Sequence, residues 1–341
     1  MKLPLFGLAI FLILGIFTAT LDKYLPMEYT NNTSFPNRPV TTVVPMGAGG
    51  GLDTTARAFS RTVDQLNVID FPVLVQNRPG GGQAVGLADY VTRFSKDDHR
   101  IFMTALPLTI NYLREEGSSP FSYKDLTPIA QINADYSILA VNKESEITSL
   151  DELIIEMQDN PEDISIGGGS SPGSQDHLNV MMVALDQDIP ESDVRYVSFD
   201  GSGEAMTSLL GNNIDVISTH LSGASQYIRS GDIRVLGISA DKRVEGEFSH
   251  LPTYEEQGID VVYNLYRGVF ASDDVPKYQL EYWDNFFGNV ILSDEWQEEL
   301  DRNAWQPGYK DSKEFQVFLE EQEVIIKDIL EELDMLRGDL E

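Results

Sequence analysis

Apolar residues recur along this chain in two rhythms, short β-branched runs and longer stretches at helical spacing, and the two alternate. Val40 to Val44 is a short β-branched run that ends at Pro45 and a glycine cluster, which predicts a strand. Leu52, Ala56, Phe59, Val63 and Leu66 follow at helical spacing, so a helix is predicted to start at those glycines. Residues 72–75 predict a second strand, 77–82 a glycine-rich loop, 84–94 a second helix and 101–103 a third strand. Further strands are predicted at 136–141, 164–166, 194–197, 215–218 and 234–238. Ser149, with Glu152 three residues on, has the form of a capping box, and the helix it opens should end before Asn160-Pro161. Phe315, Phe318, Leu319, Ile325, Ile326, Ile329, Leu330 and Leu333 form the stripe of a long amphipathic helix, or helix pair, over about 312–340. Strands alternating with helices imply an α/β fold, its parallel or mixed sheet covered on both faces.

Composition narrows this picture. A chain of 341 residues is too long for one small core, so two lobes of ordinary domain size are expected. There is no cysteine, which excludes disulfides, thiolate metal sites, cysteine nucleophiles and a lipid-modified cysteine tether. The formal charge of −31 repels phosphate backbones and anionic lipid surfaces, so no nucleic-acid partner is expected. Such a charge suits solubility in a salty medium, where screening acts over roughly 3–10 Å; a cationic ligand is the alternative. Met1-Lys2 followed by an uncharged apolar run over 3–21 has the form of an export signal. The run also approaches the ~20 residues that cross a bilayer, so residues 1–21 are either a signal peptide or an N-terminal membrane anchor. Both readings place the folded part outside the cytoplasm. Residues 22–35 form a linker.

The candidate chemistry lies in two loops of one design: strand, glycine-rich turn, helix. The first runs from Pro45 through Ala48, Gly49, Gly50 and Gly51 to Asp53, and the second from Gly167 to Ser174. Glycines let backbone approach a ligand closely, and free N–H groups at a helix start favour an anion. A dinucleotide fingerprint starting at Gly47 fails at Leu52, and no glycine stretch runs into Lys-Ser or Lys-Thr, so neither nucleotide motif is present. Gly169-Ser170-Ser171-Pro172-Gly173 is a literal G-x-S-x-G, which leaves a serine hydrolase using Ser171 as an alternative. Against it, the residue that should donate an oxyanion N–H is Pro172, which has none. The four histidines show no metal-ligand spacing, so no metal site and no cofactor are expected.

Several segments together resemble the tripartite tricarboxylate transporter receptor family, the Bug or TctC-like solute receptors. They are Arg38-Pro39-Val40, the stretch from Pro45 to Arg57, Gln76 to Gly82, Gly173 to Leu178, Arg195 to Ala205, Gly211 to Asp215, Gly231 to Leu236, Leu251-Pro252-Thr253 and Glu256-Gln257-Gly258. The resemblance implies a type II periplasmic-binding-protein fold, two α/β lobes joined by crossover strands with a ligand cleft between them. The expected lobes are 36–136 with 239–341, and 137–238. It also implies a non-enzymatic extracytoplasmic receptor, expected to be a monomer. Such a receptor captures a small carboxylate and delivers it to integral membrane subunits of a transporter. Presentation of the solute to a signalling partner is the alternative within the same fold. Carried over, the ligand contacts are Ala48, Gly49, Gly50 and Gly51 in one lobe and Ser170, Ser171 and Ser174 in the other, with Phe199, Asp200 and Gly201 lining the second side. Two positions depart from the family's habit: Asp200 stands where lysine is common, and Tyr266, beside Arg267, where tryptophan is common.

Overall fold

The computed structural model describes residues 35–117 and 119–340. The predicted export segment, 1–21, and the linker up to residue 34 lie outside the described residues. The chain divides into residues 1–37 and a compact unit from Arg38 to Glu341.

Within that unit, β1 (Val40–Val44) lies between β2 (Val73–Asn77) and β3 (Arg100–Ala105), all parallel. Helix α1 (Gly51–Leu66) and α2 (Ala84–Arg93) make the crossovers, and α3 (Pro107–Leu113) follows β3. The α1 stripe read from the sequence is the buried one: Leu52, Ala56, Phe59 and Val63 all face inward. Then comes β4 (Leu126–Asn142), a strand of 17 residues, far longer than its predicted portion. The next segment alternates α4 (Leu150–Asp159), β5 (Ser165–Gly168), α5 (Gln175–Asp186), β6 (Arg195–Ser198), α6 (Ser202–Leu210), β7 (Val216–His220), α7 (Leu221–Ser230) and β8 (Ile233–Ile238). Finally β9 (Asn264–Ser272) precedes α8 (Lys277–Ile291), α9 (Asp294–Asn303) and α10 (Ser312–Glu332).

One mixed sheet of nine strands results, in the order β2-β1-β3-β9-β4-β7-β5-β6 with β8 also on β4. β4 belongs to both halves of it. Up to Tyr136 it pairs antiparallel with β9, and from Ser137 it pairs with β7 and β8. The return connection runs alongside: Ser137 N–H donates to Ser239 Oγ at 2.9 Å, and Ser239 Oγ donates to the Tyr263 carbonyl at 2.8 Å. Register fixes what meets at this crossing. The end of β3 is level with Arg267 of β9 and Asn133 of β4, and the end of β7 with Ser137. The carboxyl ends of the parallel strands in both halves therefore flank the same few residues of β4. In open α/β sheets that is where ligands bind.

Packing ties the chain's end to its beginning. Phe59 of α1 stacks on Phe287 of α8 at 5.0 Å and meets Trp296 of α9 edge-on at 6.4 Å. Helix α10 is a single helix of 21 residues with an Asp311–Glu314 capping box, and it stops at Glu332, short of the predicted end. Its Phe315, Leu319, Ile326 and Leu330 are buried, whereas Ile325, predicted in the stripe, is 38% exposed on the outer face. Ser149 caps α4 as predicted, accepting from the Glu152 N–H at 3.2 Å, but the Glu152 carboxylate turns to the N–H and hydroxyl of Thr148. Among the described residues no helix is long and apolar enough to cross a membrane.

Candidate ligand site

The first loop joins β1 to α1. Gly50 caps the helix without any side-chain hydrogen bond, so the first-turn N–H groups of Gly51 and Leu52 keep their donor capacity. Other donors in the loop are used internally. The Gly49 N–H donates to the Asp53 carboxylate at 2.8 Å, which requires φ +84° at Gly49, and the Gly50 N–H reaches the Gly47 carbonyl at 3.3 Å. Asp53 also accepts from Arg57 Nε and Asn77 Nδ2, each at 2.9 Å. Arg57 foremost, with Gly49 and Asn77, outweighs burial and holds this carboxyl down at about 2. Asn77 Nδ2 lies 2.9 Å from the Met46 carbonyl too, so the loop after β2 braces the loop after β1. Ala48, Gly49 and Gly51 are exposed and Gly50 is half-buried.

The second loop joins β5 to α5, and its hydroxyls are engaged. Ser170 Oγ accepts from the Asp176 N–H at 3.0 Å. Ser171 Oγ and Ser174 Oγ each lie 3.1 Å from Nη1 of Arg114, which also donates to the Pro172 carbonyl at 2.6 Å. Arg114 stands at the end of α3 in the other half of the sheet, so its guanidinium is a polar tie between the halves. His177 Nδ1 accepts from the Gly173 N–H at 3.1 Å. Burial, then the charge of Arg114, pushes His177 down to about 4. The adjacent Asp176 is buried and pushed up to about 6, although His220, the Gly169 N–H and Ser170 favour its charged form.

The third segment, between β6 and α6, lies directly against the second. A Cβ on Gly169 would stand 2.2 Å from the Ser202 amide nitrogen, so the two loops touch backbone to backbone. Gly201 caps α6 here. Phe199 donates its N–H to the Gly168 carbonyl at 2.9 Å, and its half-buried ring lies against Gly167 and packs on the core of this half. Asp200 is exposed, its N–H 3.3 Å from the Glu204 carboxylate. The structure thus gathers Ser170, Ser171, Ser174 and Gly201 at two adjacent helix starts, and it sets Ala48–Gly51 at the carboxyl edge of the other half. Among the described residues no hydrogen bond joins residues 48–51 to 170–174.

Two charged residues sit at the crossing itself. Asp135 of β4 is buried and accepts from the Ser222 N–H at 3.3 Å and from the Ser222 hydroxyl, at the start of α7. Arg267 of β9 is 8% exposed, with Nη2 3.8 Å from the Cβ position of Gly51. Burial pushes the Arg267 pKa down, against the charge of Asp135. The sequence did carry a signal for Arg267, a lone charge in an otherwise uncharged run. Asp97, Asp98 and His99 also offer ligand atoms within 4.8 Å of one another. They lie at the amino end of β3, away from this edge, and the two acids are paired with Arg38, Arg100 and Gln279.

Residues 60–335 match the model of the tripartite tricarboxylate transporter family receptor. The chain belongs to this family. The receptor is 29% identical to Protein BugT of Bordetella pertussis over 249 residues, 72% of this chain and 73% of that one. Among solved structures it is similar to an R. palustris protein with adipate, at TM-score 0.76 and 21% identity, covering 89% of the receptor and 99% of its counterpart. MatC from Rhodopseudomonas palustris with bound malate gives TM-score 0.72 at 18% identity, with 87% and 100% covered. The fold is therefore that of the periplasmic solute-binding proteins, as the sequence led one to expect.

Proposed function

We propose that this receptor works outside the cytoplasm, captures a small carboxylate between the two halves of its sheet and delivers it to the membrane subunits of a tripartite tricarboxylate-type transporter. The observation that carries the reading is the meeting of the strand carboxyl ends from both halves around β4, with the starts of α1, α5 and α6 placed there. Helix starts supply N–H donors and partial positive charge to an anion. The two halves are the two lobes, 36–136 with 239–341 and 137–238, and they hinge where β4 and the return connection cross near Ser137 and Ser239. Contacts made only when the lobes close then stabilise the liganded state. Relatives of this fold solved with malate and adipate support a small carboxylic acid as the cargo class. Non-enzymatic capture is supported by the surroundings of Ser171, whose hydroxyl meets a guanidinium and a second hydroxyl, neither of which is a base for it.

The test is thermal unfolding of the chain with malate, adipate, succinate and citrate, each at low and high salt. An acid at a hundredfold excess over its Kd is expected to add ~2.7 kcal/mol of stability. Failure of every acid at both salt levels would overturn the carboxylate reading. Ester hydrolysis lost in Ser171→Ala would replace it with the hydrolase.

A further inference from the structure

Arg267 carries the only charge in β9, and it is 92% buried at 8% exposure. A guanidinium brings five N–H donors. Here Nη1 makes one long bond to the Tyr266 carbonyl at 3.3 Å, Nε has no partner, and Arg267 forms no ion pair among the described residues. A desolvated cation with open donors works against folding, so the folded chain alone gives it no use.

Its position suggests one. Register sets Arg267 beside Ala105 at the carboxyl end of β3, and its Nη2 points to the Gly51 end of α1, 3.8 Å from the Cβ position there. That end belongs to a helix of 16 residues with no capping side chain. Two donor sets of positive character, found independently, thus lie side by side. The acids nearby are already engaged: Asp53 by Gly49, Arg57 and Asn77, and Asp135 by Ser222. Directly opposite on β4, the buried Nδ2 and Oδ1 of Asn133 are also without partners, a polar pair suited to a hydroxyl or a second oxygen of the same ligand.

Building on the receptor reading above, in which the loop amides before and in the first turn of α1 hold the ligand, we infer that Arg267 is a further contact to the same carboxylate, and that Arg267 is what makes the receptor choose an acid over its uncharged amide. The planar fork of arginine matches a carboxylate, and charge-assisted bonds in a desolvated site are the strong ones.

Calorimetric titration of the full chain with malate, adipate and their diamides tests this, alongside the thermal midpoint of each unliganded variant. The wild type is expected to bind at least one acid and neither diamide. Arg267→Gln should weaken that acid about 30-fold, the order expected for one charged hydrogen bond or two. Arg267→Lys should lose less, keeping the charge without the fork. Gly51→Ala should weaken binding and leave the unliganded midpoint unchanged or slightly raised, since its methyl meets only Nη2, at ordinary contact distance. Arg267→Met should raise the unliganded midpoint, since the burial of the guanidinium outweighs the attraction of Asp135; a lowered midpoint with retained binding would make the arginine structural and overturn the inference. If Arg267→Gln fails to fold, Gly51→Ala and Arg267→Lys decide. Wild-type affinity in Arg267→Gln and Gly51→Ala would sink the Arg267 contact alone and leave the receptor reading standing. An acid that binds no form of the protein, wild type included, would sink both.

Discussion

Asp176 and His177 sit side by side at the start of α5, both buried, and burial displaces their ionisations in opposite directions. In the folded chain Asp176 holds its proton up to about pH 6, while unfolded it releases it near the usual carboxylate value of ~4. Between those limits the folded state binds the extra proton, so this residue's contribution falls as pH rises and its cost is fully present above about 6. His177 titrates at about 4 when folded and near ~6.5 when unfolded, so its contribution rises with pH across that window and is lost as pH falls through it. In the wild type the two slopes oppose each other. Asp176→Asn removes one of them, so stability is expected to climb more steeply from about pH 4.5 to 6 and to exceed the wild type by about 1–2 kcal/mol at pH 7. Urea unfolding at a series of pH values checks this, and parallel wild-type and variant curves would rule it out. Neither shift was readable from sequence, because Asp176 and His177 look like an ordinary polar helix start until β6, β7 and the crossing close around them. Gly51 was readable, since a glycine-to-helix transition announces itself locally. Its partner Arg267, more than two hundred residues later in the chain, shows only as a lone charge in an uncharged run, and nothing local ties it to Gly51.

Among the elements, the helix starts depend on glycines that differ sharply in what they permit. Gly169 lies against α6, where a Cβ would meet the Ser202 nitrogen at 2.2 Å and the Gly201 carbonyl carbon at 2.5 Å, both backbone atoms that cannot rotate aside. Gly169→Ala is therefore expected to cost at least the ~1–3 kcal/mol of core overpacking and to displace the start of α6. Gly203→Ala, in the first turn of that same helix, meets nothing within 4 Å and should match the wild type or gain up to about 1 kcal/mol from helix propensity. Paired urea melts separate the two, and equal midpoints would contradict the packing described. Strands of the two parallel sets were legible because their β-branched runs are short and bounded by turns. The first part of β4 was not. It carries Pro128, Gln131, Asn133 and Asp135 in buried positions, so no alternation marks it as a strand. β9 was missed for the opposite reason: Leu265 to Ser272 is buried on both faces and has no period to read.

For the whole molecule, the formal charge of −31 opposes the approach of an anion such as the one proposed above, whereas the guanidinium of Arg267 attracts it. Distant surface acids act through solvent and are screened, at ~30 Å in 0.01 M salt and ~3 Å in 1 M, whereas the buried Arg267 is screened much less. Added salt should therefore relieve the long-range repulsion and spare the local grip. Association of malate or adipate is expected to speed up several-fold between about 0.01 and 1 M salt with dissociation nearly unchanged, the reverse of an electrostatically steered ligand. Stopped-flow rates test it, and association slowed by salt would mean that the field of the site outweighs that of the surface. At this scale the sequence was most informative, since the α/β fold of the periplasmic solute-binding proteins followed from the ordered run of motifs between Arg38 and Gly258.

The shared strand β4 also dictates the order in which such a chain can be assembled. As it emerges from its amino end, β1, β2 and β3 are made early, but β3 lacks its neighbour β9 until Ser272 has appeared, and α1 lacks Phe287 and Trp296 until α8 and α9 follow. The half built on β5, β6 and β7 meets no such delay, because its strands and helices are contiguous from the end of β4 to β8. A nascent molecule thus holds one half that can close on itself and another that must wait for the last quarter of the sequence, and contacts so far apart along a chain form slowly. Under the extracytoplasmic role proposed above, a chain carried across the membrane unfolded would keep its amino-terminal half open during the passage.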